Sequence, residues 1–144
     1  MKKILIILIL VFIGIQFIPI NVPADLSVKE GDALKAPENV QVILERSCFD
    51  CHSSHTTFPW YSSIAPVSLF TKMHVKKGRE HLNFSTWNSY SDEKKVKYLG
   101  KIPKAIKSKM PLPSYLLVHK EAKLSDEDRK AISDWASEAA FDFE

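Results

Sequence analysis

The chain contains only two cysteines, and they fall within one five-residue stretch, Cys48-Phe49-Asp50-Cys51-His52. Two thiols three positions apart, with an imidazole directly behind them, constrain this protein more than any other feature. C-x-x-C-H is the spacing at which a c-type haem is attached. Both thiols reach the two haem vinyl groups from a single helical turn and form thioethers. The next residue is then carried beneath the ring, where an imidazole nitrogen binds iron. That nitrogen must be unprotonated, and the other ring nitrogen should donate to a carbonyl or water that fixes the ring. The pattern thus predicts one covalent haem c, with Cys48 and Cys51 as attachment points and His52 as proximal ligand.

Three other chemistries use similar residues, and each fits less well. A disulfide closed over two intervening residues is strained and stabilises little. A thioredoxin-like redox pair needs its C-x-x-C after a strand in a βαβ pattern, which is absent here. Zinc needs about four ligands, and no second pair stands at a standard spacing.

The N-terminus sets location. Lys2 and Lys3 precede an apolar run over residues 4–20, interrupted only by Gly14, Gln16 and Pro19. A short basic start before such a run is an export signal, with the lysines left in the cytoplasm. The segment 1–20 is expected to be an uncleaved membrane-anchor helix, because the small residues around Ala24 make no clean processing site. Residues 21–36 read as a polar tether with a reach of roughly 20–25 Å. Residues 37–144 form the functional domain, on the periplasmic side of the cytoplasmic membrane.

A haem with two strong axial ligands transfers electrons, whereas one with an open position binds small molecules or reacts with peroxide. Met110, followed by Pro111 and Pro113, is the candidate second ligand, because the prolines hold an extended, donor-poor loop suited to a haem face. His74 and His81 are the rivals. Met73 reads as core packing, His55 lies too near His52, and His119 reads as a helix-end or propionate contact.

Helices are expected over 37–47, with Val40, Leu44 and Cys48 four apart, and over 66–81, with Val67, Phe70, Met73 or His74, and Lys77 on one face. Another begins at Ser91, acidic in its first turn. The last begins at Ser125 with a capping-box pattern and carries Ile132, Trp135, Ala136 and Ala139 on its apolar face. Strand signals are weak throughout, so the fold class is all-α. In the loop 53–65, Trp60 and Tyr61 are expected to pack on the haem edge with their polar tips on propionates. Arg79 is a further propionate candidate. Asn83-Phe84-Ser85 matches a glycosylation sequon, a short and weak pattern.

With Cys48 to His52, Pro59-Trp60-Tyr61-Ser62, Ile64-Ala65-Pro66-Val67, Gly78-Arg79, His81-Leu82-Asn83-Phe84-Ser85, Trp87 and Met110-Pro111 in view, the chain resembles the small bacterial haem-binding domain proteins. These are typically membrane-anchored and c-type. The resemblance runs from about residue 39 to 135. It implies a cytochrome c-like helical domain around one haem, with thioethers at Cys48 and Cys51 and with His52 and Met110 as axial ligands.

A net charge of +3 does not indicate nucleic-acid binding. Seven lysines and no acid lie between 94 and 109, next to Met110. They suit an acidic redox partner docking near the haem edge. The expected function is electron transfer, which needs no catalytic residue. The alternatives are a peroxidase or a gas or redox sensor with an open distal position, and a subunit of a larger membrane complex.

Overall fold

The computed structural model describes residues 1–22, 28, 29 and 31–143, and no strand occurs among them. Helix α1 spans Lys2–Ile15, α2 Glu38–Ser47 and α3 Phe49–His52. Helix α4 follows over Val67–His81, then α5 Asp92–Leu99 and α6 Ile102–Ser108. A short α7 over Pro113–Leu116 leads to the C-terminal α8, Asp126–Phe141.

Helix α8 is the keel of the domain. The Ser125 hydroxyl accepts from the Asp128 N–H while the Asp128 carboxylate accepts from the Ser125 N–H, so the expected capping box is formed. Its buried residues Ile132, Trp135 and Ala136 meet Val40 and Leu44 of α2, Leu99 of α5 and Ile106 of α6. Each large aliphatic side chain removed from water in this way contributes about 2 kcal/mol. Arg46 of α2 adds an ion pair to Asp128 at 2.6 Å.

Helix α4 departs from expectation in the face it buries. Val67, Phe70 and Met73 are all exposed, at 45%, 50% and 40%. Ser68 and Val75 are buried instead, and the stripe Ser68, Thr71, Val75 and Gly78 has helical spacing. These small residues let α4 approach α3 closely, and the apolar side chains are left lining an open cleft.

The N-terminal organisation also differs. Among the described residues no helix is long and apolar enough to cross a membrane. Helix α1 has 14 residues, about 21 Å at 1.5 Å per residue, against a hydrocarbon core of about 30 Å. Pro19, which lacks an N–H, stands just beyond its end. Gln16 turns its side chain to the domain: Oε1 accepts from the Ala65 N–H at 2.9 Å and Nε2 donates to the Ala65 carbonyl at 3.1 Å. The region around Ala24 lies outside the described residues.

Only part of the expected tether 21–36 is described, and its end belongs to the domain. Leu34 is buried in the core and its N–H donates to the Phe84 carbonyl at 2.8 Å. Asn88 holds the turn before it, donating from Nδ2 to Gly31 O. Gly31 has φ +90°, a conformation only glycine adopts without strain.

Candidate functional site

The motif sits at a break between two helices. Cys48 closes α2 with φ −129° and ψ −35°, and α3 then carries Cys51 and His52. The N–H groups of Cys51 and His52 both donate to the Cys48 carbonyl, at 3.2 and 2.9 Å, so one tight turn holds both thiols and the imidazole. Helix α4 lies directly against this turn. A Cβ at Gly78 would collide with the Cys51 carbonyl oxygen, so only glycine permits the contact.

The imidazole is oriented from behind. His52 Nδ1 donates to the Leu82 carbonyl at 3.0 Å, which fixes the tautomer and leaves Nε2 as the lone-pair nitrogen. Burial pushes the His52 pKa down, and the Leu82 bond opposes this only partly. The ring is therefore neutral, as ligation requires. The residues after Leu82 secure the same cradle. Asn83 Oδ1 accepts from the Ser85 N–H, Asn83 Nδ2 donates to Ser54 Oγ, and the Ser54 N–H donates to Ser85 Oγ. The sequon asparagine is thus a buried structural residue. Arg79 Nε donates to the Ser53 carbonyl at 2.7 Å and its guanidinium to Thr56 Oγ1 at 2.9 Å, strapping down the loop that follows the motif.

Both thiols are held protonated. Burial, then the neighbouring Cys51, raises Cys48 to about 12; burial, then Asp50, raises Cys51 to about 11. Thiol–disulfide catalysts show the opposite shift. Among the described residues, no group of three or more His, Cys, Asp or Glu side chains is placed to hold a metal ion.

Two adjoining cavities open on the motif, of roughly 270 and 220 Å³. Cys48, His52, His81 and Met110 line both. Leu44, Leu82, Phe84, Ile102, Ile106 and Ile132 give the second its apolar back wall. Lys77 reaches the first, and Lys101 and Lys109 the second. A haem attached through C-x-x-C-H would need an apolar slot, two thiols at one edge, an imidazole at one face and cations for its propionates. The residues present fit that group.

The candidate residues divide between two places. Cys48, Cys51, His52 and Met110 all border the first cavity, as do the rival ligands His74 and His81. Trp60 and Tyr61 do not. Trp60 is 78% exposed, and Tyr61 faces a third cavity, where its hydroxyl pairs with His119 Nε2 at 3.3 Å. His119 stacks on Tyr115 with ring centroids 4.1 Å apart, and the Tyr115 hydroxyl donates to Asp50 Oδ2 at 2.7 Å. This bond joins the motif to the Met110 segment across the cleft. Burial and Asp50 together raise the Tyr115 pKa, so the phenol keeps its proton.

Sequence reasoning missed the positioning roles of Leu82 and Tyr115. A backbone acceptor such as the Leu82 carbonyl leaves no trace in side-chain chemistry, and the Tyr115–Asp50 pair spans 65 positions.

No curated protein and no solved structure matches the chain. Residues 10–138 match the family model described as a haem-binding domain. With the match covering most of its length, the chain belongs to the haem-binding domain family.

Proposed function

We propose that the chain is a covalent c-type haem protein that transfers electrons, with Cys48 and Cys51 as thioether positions and His52 and Met110 as axial ligands. The observation that carries this reading is the His52–Leu82 bond beside two cavities that Cys48, His52 and Met110 share. Haem bound there supplies one-electron redox chemistry. The chain's own residues do the rest: His52 presents Nε2, Met110 offers a thioether, and the apolar back wall excludes water. Ligation by His and Met favours a relatively high potential. Lys77, Lys101 and Lys109 stand where propionates need counter-charges, a role better suited to them than to Trp60 and Tyr61.

The remaining exposed lysines of 94–109, Lys104 and Lys107 among them, form the docking face for an acidic redox partner. Lys95 is not one of them, since it is buried and paired with Asp92 at 3.1 Å. Residues 4–20 hold the domain at the outer face of the cytoplasmic membrane; none of the α1 side chains is buried by the protein.

One observation favours a second ligation. His81 lines both cavities, as Met110 does, so a bis-His haem is the specific rival. The test is protein produced with a haem-attachment system, examined as a pyridine haemochrome and as Met110→Ala. Haem that survives denaturation establishes attachment, and loss of the low-spin Met–iron signature in the variant establishes Met110. An unchanged spectrum moves the ligand to His81 or His74. Absence of haem, where a control cytochrome matures, overturns the reading.

A further inference from the structure

The third cavity, of roughly 430 Å³, touches neither Cys48, His52 nor Met110. It shares a wall with the first of the two motif cavities through Asp50, Cys51, His74, Leu112 and Tyr115. Most of its lining is apolar, including Phe58, Val67 and Phe70. At its rim Leu117 and Val118 are 76% and 62% exposed. Apolar side chains left in the open around a concave site mark a place where something apolar binds.

The polar groups in the wall narrow the ligand further. Tyr61 and His119 satisfy each other, as do Asp50 and Tyr115. Ser62 has no such partner. It is 2% exposed, it lines this cavity, and its hydroxyl makes no hydrogen bond. A buried hydroxyl left unpaired costs about 1–3 kcal/mol, a cost that an oxygen on a bound molecule removes. No lysine or arginine lines the cavity, and Asp50 does. An anionic ligand, or the propionate edge of a haem, therefore has no counter-charge here, in contrast to the two cavities beside it. The ligand is uncharged.

Its source is suggested by the N-terminal clasp. Ala65, the peptide held by Gln16 at the end of α1, lies two residues before Val67 of the cavity wall. The most apolar segment of the chain is thus tied to the loop that leads into the cavity wall.

We propose that this cavity is a second ligand site, for an uncharged, lipid-soluble ring compound carrying carbonyl or hydroxyl oxygens, the quinone–quinol class. Phe58, Phe70, Tyr61 and Tyr115 offer ring faces and edges to a flat ligand. Ser62 donates to or accepts from one of its oxygens. The volume lies in the ordinary range for small-molecule sites. This inference goes beyond the haem reading and does not require it.

The test is titration calorimetry of menadione into the full chain in its haem-loaded, oxidised form, with decanol as an apolar alcohol lacking a ring. The expected result is saturable binding of menadione, with decanol much weaker. Val118→Trp, a change at an exposed rim position, should abolish binding. Ser62→Ala should weaken it about tenfold, the worth of one hydrogen bond. The same change should leave the melting temperature undiminished, because it removes an unpaired hydroxyl. A pyridine haemochrome on each sample should show haem content unchanged. Three results would overturn the proposal: no saturable menadione binding, equal affinity for decanol, or loss of haem in Val118→Trp, which would give the cavity to the haem. Menadione binding with these losses in a sample that carries no covalent haem would overturn the haem reading and leave this one standing.

Discussion

The two sides of the haem cavities are built by different means. The side bearing His52 is over-determined: Gly78 admits the motif turn against α4, Leu82 orients the imidazole, and Asn83, Ser85 and Arg79 tie down the flanking loop. The Met110 side hangs on less. The Met110 N–H donates to the Ala105 carbonyl, and the Tyr115–Asp50 bond reaches back across the cleft. Between them Pro113 and Ser114 are exposed. The contrast assigns the two sides different tasks. On the reading proposed above, a rigid proximal side would present the attachment chemistry in fixed geometry, while a lightly held distal side would leave the sixth ligand adjustable.

The largest expected effect breaks the rigid side. In Gly78→Ala the new Cβ meets the Cys51 backbone, which has no rotamer to yield. Overpacking of this kind costs up to about 3 kcal/mol, while the gain in helix propensity is about 1 kcal/mol, so the clash wins by about 2 kcal/mol. Denaturant unfolding of the full chain should register that loss, together with a lower yield of attached haem. A variant as stable as the parent would show that α4 is free to move and that the proximal side is not rigid.

Next comes the distal side. Tyr115→Phe removes a hydrogen bond to a carboxylate, worth about 1.5–2 kcal/mol. It should destabilise the distal segment and leave the His52 environment untouched. A double-mutant cycle with Asp50→Asn measures the bond itself, and a coupling near zero would show that this bond does not join the two sides. The smallest effect is a control remote from both sides: Ser125→Ala unmakes the capping box of α8 at about 1 kcal/mol. It should lower the melting temperature without altering haem spectra. A spectral change there would mean that the site depends on the whole fold rather than on its own two sides.

Much of this was legible in the sequence, for identifiable reasons. The cysteine–histidine motif places three distinctive side chains at fixed spacing, and the structure gathers them with Met110 around the same cavity. Helices α2, α5 and α8 followed from strong local signals such as Pro37, the acidic first turn at Asp92 and Glu93, and the Ser125–Asp128 box. Helix α4 was found, but its packing face was not. The stripe Ser68, Thr71, Val75 and Gly78 buries small residues, which carry little hydrophobic signal, while Val67 and Phe70 advertise a core and line a cleft. Trp60 and Tyr61 were drawn toward the haem by their chemistry alone. Tyr61 pairs instead with His119, more than fifty positions away, and Trp60 is left largely exposed.

The grip of Gln16 on Ala65 changes what kind of attachment α1 makes. Two hydrogen bonds of this kind contribute about 1–3 kcal/mol together, which corresponds to the closed arrangement outnumbering the open one by roughly 5- to 150-fold. The domain therefore behaves less like a ball on a chain than like a hinged door on a weak latch. On the anchored reading proposed above, it would face one way most of the time, and a partner arriving from that direction would meet it already aligned. On that reading, breaking the latch would leave every bond at the haem cavities in place and still alter how often a productive encounter occurs.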